Sequence, residues 1–231
     1  TRVWADGHIS FEQFVQPFGE MGIIPRVGVR IPVNPNLSKV DYFGLGPKEN
    51  YPDRCTGAYL GRFRSTVDEQ AEPYIRPQEN GSRGRVTYAA LTDLEGTGLL
   101  VTGDRPFAFS ALPYSAEQLS RVRHESELER EETVILSVDW KRNGLGNSSC
   151  GTDVLEEYRL YPTESRFVME LMPYDSLEDP FTKSVCRMEA GEVDQYFSID
   201  HTISLHPEQE KGRAPFDPSD FIERLKAGFK Q

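Results

Sequence analysis

The sequence predicts an all-β, antiparallel fold with one or two short helices, on three observations. Glycine and proline are frequent, at 19 and 16 of 231 residues, which suits short strands joined by turns. Aromatic residues make up 11% of the chain and favour strands over helices. Segment after segment alternates apolar and polar side chains, as a strand with one buried face does. Apolar residues, at 37%, suffice for a packed core.

In chain order, the first alternating run is His8 to Val15 (HISFEQFV). Val27 to Val33 repeats the pattern, and Pro32 puts its end at an edge or bulge. Val40 to Phe43 and Gly84 to Leu91 read the same way. Thr92-Asp93-Leu94-Glu95-Gly96 is a hairpin turn leading into Gly98 to Thr102. Ser115-Ala116-Glu117-Gln118 has the pattern of a capping box, and Leu119 and Val122 follow at helical spacing. The charged stretch Arg121 to Glu132 reads as a solvated connector. Val134 to Trp140 and Arg166 to Met172 are further strands, and 193–203 holds one more. Asp217-Pro218-Ser219-Asp220 starts a helix over 218–229, with Phe221, Ile222, Leu225 and Phe229 on one face.

The formal net charge is −11, which speaks against nucleic acid or an anionic membrane as a partner, since both attract positive fields. No apolar run approaches the length of a membrane-spanning helix. Cys55, Cys150 and Cys186 form no CxxC pair, so they read as buried free thiols in a reducing, cytoplasmic setting. His8, His124, His201 and His206 are scattered and form no HxH or HExxH pattern, so no metal site is expected.

Two carboxyl groups close together would serve glycoside hydrolysis with retention. Glu49, Asp53, Glu69 and Glu79 lie in polar, turn-like segments and are the candidates. The competing reading is structural, as turn caps or partners of Arg54, Arg76 or Arg83. Gly144-Leu145-Gly146, running into Asn147, Ser148, Ser149, Cys150 and Gly151, is a small-residue loop that lets backbone approach a ligand.

Two segments carry more information. Phe43 to Arg54 reads FGLGPKENYPDR, and Tyr74 to Gly81 reads YIRPQENG. Thr66-Val67-Asp68-Glu69-Gln70 lies between them. Arg26-Val27-Gly28, Phe109-Ser110-Ala111 with Tyr114-Ser115, and Gly144 through Gly151 flank them. In this order, from about Pro25 to Leu160, the motifs resemble the last domain, or small chain, of the large bacterial β-galactosidases of glycoside hydrolase family 2. The resemblance implies an antiparallel β-supersandwich of the galactose-mutarotase-like class. It implies an enzyme that cleaves terminal non-reducing β-D-galactosides, such as lactose, with retention. Nucleophile, acid/base glutamate and the Mg and Na sites of such enzymes belong to a barrel domain or large subunit. Catalytic roles and a cofactor are therefore not expected in this chain. What it would supply is a loop at the rim of the sugar site: Asn147, Ser148, Ser149, Cys150 and Gly151. Cys150 stands where some members carry a tryptophan platform, and a thiol offers no stacking face.

The resulting expectation is a supersandwich over 1–172, lacking its first strands. An acidic extension over 173–231 would end in the 218–229 helix, packed on the sandwich. The partners would be a galactoside and the barrel or large subunit, in an oligomer. The alternatives are a stand-alone carbohydrate-binding module and an aldose-epimerase-like enzyme using a histidine and a glutamate.

Overall fold

Among the residues that the structure, a computed structural model, describes (1–148, 150–185 and the backbone of 196–198), strands dominate. They are β1 (Arg2–Trp4), β2 (Ile9–Val15), β3 (Arg26–Val33), β4 (Lys39–Gly46), β5 (Tyr59–Thr66), β6 (Arg83–Thr92), β7 (Thr97–Leu112), β8 (Val134–Arg142), β9 (Ser165–Asp175) and β10 (Tyr196–Ser198). All pairings are antiparallel. Three short helices join them: α1 (Val67–Gln70), α2 (Ala116–Arg121) and α3 (Pro180–Val185). The all-β expectation holds: besides these three α-helices the described residues include only two single-turn 3-10 helices, Glu125–Glu127 and Glu156–Tyr158. No helix among them is long and apolar enough to cross a membrane.

The strand order is β10-β1-β2-β9-β7-β6-β4-β5, and β3 pairs with β8, which joins at β7. The long strand β7 is where the sheet forks. Its first half, Thr97 to Gly103, pairs with β9. Its second half, Ala108 to Leu112, pairs on the same edge with β8. The branch β8–β3 thereby folds over the other branch. Alternate residues of both meet in one core: Val40, Tyr42, Ala89, Leu91, Val101, Phe107, Phe109, Leu136, Val138, Phe167 and Met169. Trp140 of β8 stacks on Phe167 of β9 with ring centroids 5.0 Å apart, closing the branches on each other.

A smaller cluster of Tyr88, Ala90, Leu100, Met172 and Tyr174 forms on the opposite face, with Phe43 against it. Helix α3 lies against β6 and β7. Its first turn is capped by Asp179, which accepts from the Thr182 amide at 2.9 Å and its hydroxyl at 2.8 Å. Strand β9 continues past residue 172 to Asp175. The rest of the acidic extension, with the expected 218–229 helix, lies outside the described residues.

Several elements differ from the sequence reading. β7 runs to Leu112 rather than ending near Thr102; the polar run Gly103 to Pro106 stays in the strand and falls where its register against β6 shifts, between Thr102 and Phe107. β5 has no counterpart among the expected strands. It is an edge strand whose Arg62 and Arg64 point outward onto Asp41 of β4, at 2.9 and 2.8 Å. α1 is a single turn set by a capping box between Thr66 and Glu69.

Phe167 is fully buried and touches both branches. Phe167→Ala is expected to cost about 3–5 kcal/mol of stability. Ile75→Ala, at a side chain 89% exposed, is expected to change it by under about 0.5 kcal/mol. Urea unfolding of the two variants checks both values.

Candidate functional site

The two motif segments and the small-residue loop meet at one end of the sandwich, where the chain leaves the ladders and its backbone groups need other partners. Asn50 is buried and uses its backbone N–H and both polar atoms of its side chain. Its backbone N–H donates to Ser82 at 2.8 Å, its side-chain NH2 to the Leu45 and Lys48 carbonyls at 3.0 and 3.2 Å, and its side-chain oxygen accepts from the Gly84 amide at 2.8 Å. Asn80 does the same within the second motif, accepting from the Glu72 amide at 3.2 Å and donating to Gln78 at 2.9 Å. The buried Arg83 donates to the Pro47 carbonyl at 3.1 Å. The loops are therefore laced to each other by side chains.

The four candidate carboxylates are all engaged in this way. Glu49, 5% exposed, accepts from the Gly81 amide at 2.9 Å, from the Tyr74 hydroxyl, and from Arg54 at 3.3 Å. Asp53 accepts from two consecutive amides, Leu145 at 3.0 Å and Gly146 at 2.7 Å. Glu69 closes the α1 capping box, accepting from the Thr66 amide at 2.8 Å. Glu79 bridges Arg26 and Arg142, the latter at 2.5 Å.

Asp53 ties the small-residue loop to the first motif. The loop stem is held further by Gly144 donating to the Tyr158 carbonyl at 2.9 Å and Asn147 donating to Thr152 at 2.9 Å. Gly146 sits at φ +67°, a left-handed conformation that glycine adopts without strain. At the tip, the Cys150 and Gly151 amides both donate to the Asn147 carbonyl, at 2.9 and 2.6 Å. Asn147, Ser148, Cys150 and Gly151 are exposed, and Ser149 lies outside the described residues. A cleft of about 390 Å³ opens beside the stem, with Tyr51, Pro52, Cys55, Arg85, Trp140 and Tyr158 on its walls.

Beneath lies an ion network that the sequence reading did not find. Asp139 of β8, 1% exposed, lies 3.4 Å from Arg26 and 3.5 Å from Arg142. The Arg142 guanidinium also sits over the Tyr51 ring, 5.0 Å from its centroid. Burial pushes the Asp139 carboxyl up to about 6, against the pull of Arg142 and Arg26. For Arg142, burial alone would lower the pKa, but the charges of Asp139 and Glu79 outweigh it and leave it raised. Burial and the nearby Glu49 raise the Tyr51 phenol, keeping it neutral. The signal in the sequence was a lone aspartate inside the apolar run Val134 to Trp140.

The thiol expectation needs correction. Cys150 is exposed and Cys55 half-buried, so neither is a buried core thiol; both are free, and Cys186 lies outside the described residues. The reason is position, since both sit in the loops at the sandwich end and not in a ladder. His8 is buried, stacks on Trp4 at 4.6 Å and lies 3.9 Å from Glu170, while His124 is exposed. His201 and His206 lie outside the described residues. Among the described residues, no group of three or more His, Cys, Asp or Glu is placed to hold a metal ion.

The chain has counterparts among known proteins. A family model described as the beta galactosidase small chain matches residues 2–171. The chain belongs to that family. A protein named beta-galactosidase from Actinobacillus pleuropneumoniae is 34% identical over 172 residues, 74% of this chain. One from Priestia megaterium is 35% identical over 164 residues, 71% of this chain. A third, from Staphylococcus xylosus, is 34% identical over 148 residues, 64% of this chain. The aligned segment spans only 16%, 16% and 15% of those three proteins, so it corresponds to a small part of each.

The raised Asp139 pKa has a consequence in solution. Its neutral form is favoured in the fold, so this contribution to stability is complete below its unfolded value of 3.8 and is lost as pH rises through about 6. Asp139→Asn removes the titration. The stability of the variant relative to wild type is expected to rise by about 2 kcal/mol between about pH 4 and pH 7. Urea unfolding across that range reads the difference, and a flat difference contradicts the assignment.

Proposed function

We propose that this chain is the small-chain region of a β-galactosidase that hydrolyses terminal non-reducing β-D-galactose residues, as in lactose, with retention. In this reading the reacting carboxylates stand in a separate barrel, as a domain or a large subunit, within a cytoplasmic oligomer. Magnesium and sodium are assigned to that barrel. The chain described here contributes the rim of the sugar site through Asn147, Ser148, Ser149, Cys150 and Gly151.

The observation that carries the reading is the fate of the four candidate carboxylates. Retaining hydrolysis needs one carboxylate free to attack the sugar and a second acid nearby, about 5 Å away. Glu49, Asp53, Glu69 and Glu79 are instead taken up by amides, hydroxyls and guanidinium groups of this same chain. Each bond ties carboxylate oxygens to fixed partners within this chain's own loops, so none of the four is left free to attack a sugar. Family membership supplies the rest of the argument, since relatives named beta-galactosidase carry this segment as a small part of a longer chain. Short polar tip residues on a rigid stem suit contact with sugar hydroxyls, and the exposed Cys150 adds no aromatic face.

The purified chain is expected to release no nitrophenol from o-nitrophenyl galactoside. Combined with a β-galactosidase body lacking this segment, it is expected to restore turnover. Turnover by the chain alone, abolished by Glu49→Gln or another single acid, would overturn the reading. Isothermal titration of the chain with lactose separates it from a stand-alone binding module, which would show saturable heat without the barrel.

A further inference from the structure

Of the motif carboxylates, Asp53 is the one that reaches the small-residue loop. It lies 92 and 93 positions from the amides it holds, so the contact is purely tertiary. Two consecutive N–H groups, Leu145 and Gly146, converge on its two oxygens. Gly144 completes the fit, because a Cβ there would come 2.7 Å from the Asp53 carboxyl carbon. The tip residues Asn147, Ser148, Cys150 and Gly151 are exposed and add no core packing that would orient them. Their direction is therefore set by the stem, and the charged group that fixes the stem is Asp53.

Resting on the rim role argued above, we propose that Asp53 is a positioning residue for galactoside affinity: its carboxylate locks the 144–146 stem and so holds the loop tip against the sugar. It takes no part in bond breaking. A contact made equally with substrate and transition state affects KM and leaves kcat alone. Loss of the clamp should therefore weaken binding without slowing chemistry.

The test uses the assembled enzyme containing this segment, with o-nitrophenyl galactoside as substrate. Asp53→Asn keeps the side-chain shape but turns an NH2 toward one of the two amides. It is expected to raise KM about 10-fold with kcat within about 2-fold, the size of one lost charge-assisted hydrogen bond. Gly144→Ala attacks the same clamp from the loop side, leaves the carboxylate in place, and is expected to give the same split. Glu69→Gln, which touches only the α1 cap, should leave both constants unchanged. Amide hydrogen exchange of the purified chain supplies an independent reading: Leu145 and Gly146 should exchange at least about 10-fold faster in Asp53→Asn, with the amides of Val101 and Leu136 unaffected. Unchanged exchange at Leu145 and Gly146 overturns the clamp. Faster exchange with an unshifted KM, or a fall in kcat at constant KM, overturns the link to affinity. If Asp53→Asn does not fold, Gly144→Ala carries the same outcomes. A wild-type assembly with no turnover overturns the galactosidase reading and this inference together, whereas active wild type with unshifted variants overturns this inference alone.

Discussion

Long loops at the end of a sandwich have no neighbouring strand to take their N–H and C=O groups, and that requirement organises this molecule. Leaving such groups buried and unpaired costs about as much as losing the hydrogen bond outright. Asn50, Asn80, Glu49 and Asp53 act as substitute strand partners, each reaching amides or carbonyls in a different turn. Asn50 is the clearest case, since it offers a donor and an acceptor on one short arm and uses both. The density of Asn, Glu, Asp and Pro in the two motifs follows directly. The prolines restrict the backbone, and the amides and carboxylates fill the hydrogen-bonding vacancies that the missing ladder leaves.

A second constraint joins this end to the core. Strand β3 approaches β8 so closely at Gly28 that a Cβ there would meet the Asp139 carboxylate at 2.2 Å and the Val138 carbonyl at 2.3 Å. The register shifts between Val27 and Gly28, and the shift brings Arg26 to Asp139 and Glu79. Two arginines and two acids then alternate around one point. The pairing is enough to keep Arg142 charged despite burial, yet burial still dominates at Asp139. Buried ion networks of this kind add little net stability, because desolvation offsets attraction. What they fix is geometry: here, the relative placement of the β3 bulge, the end of β8 and the Glu79 loop.

Much of the ladder was legible from alternation, because most strands bury one face and leave the other polar. The alternation at 9–15 and 26–33 is plain in the side chains themselves, whereas β6 and β8 are buried on both faces along much of their length. β5 escaped because its arginines serve cross-strand ion pairs and hide a weak apolar face built on Phe63. The full length of β7 escaped because Asp104 and Arg105 interrupt the pattern, although they pair with each other at 3.0 Å where the strand changes neighbours. At the site, the important residues could be named but not given roles. Nothing local to Asp53 says that its partners are the amides of Leu145 and Gly146, nor that Glu79 will meet Arg142. Such pairings are decided by which loops the two branches of the sheet bring to the same end.

The loop that results has a stem and a tip with different rules. The stem depends on backbone amides, on two glycines and on one carboxylate, so its shape is indifferent to the side chains beyond it. The tip is free of packing constraints and can exchange side chains without refolding the stem. That separation gives a physical account of how a cysteine can stand at 150, where the family resemblance implies a tryptophan in some members. A cysteine there forfeits the stacking face that an aromatic ring supplies. It does not forfeit the loop. In the proposed site, contact passes to the amide and hydroxyl of Asn147 and Ser148, groups that recognise hydroxyls by direction instead of area. Directional contacts tolerate less movement than stacking does, so a tip without its aromatic ring relies more heavily on the rigidity of the stem beneath it.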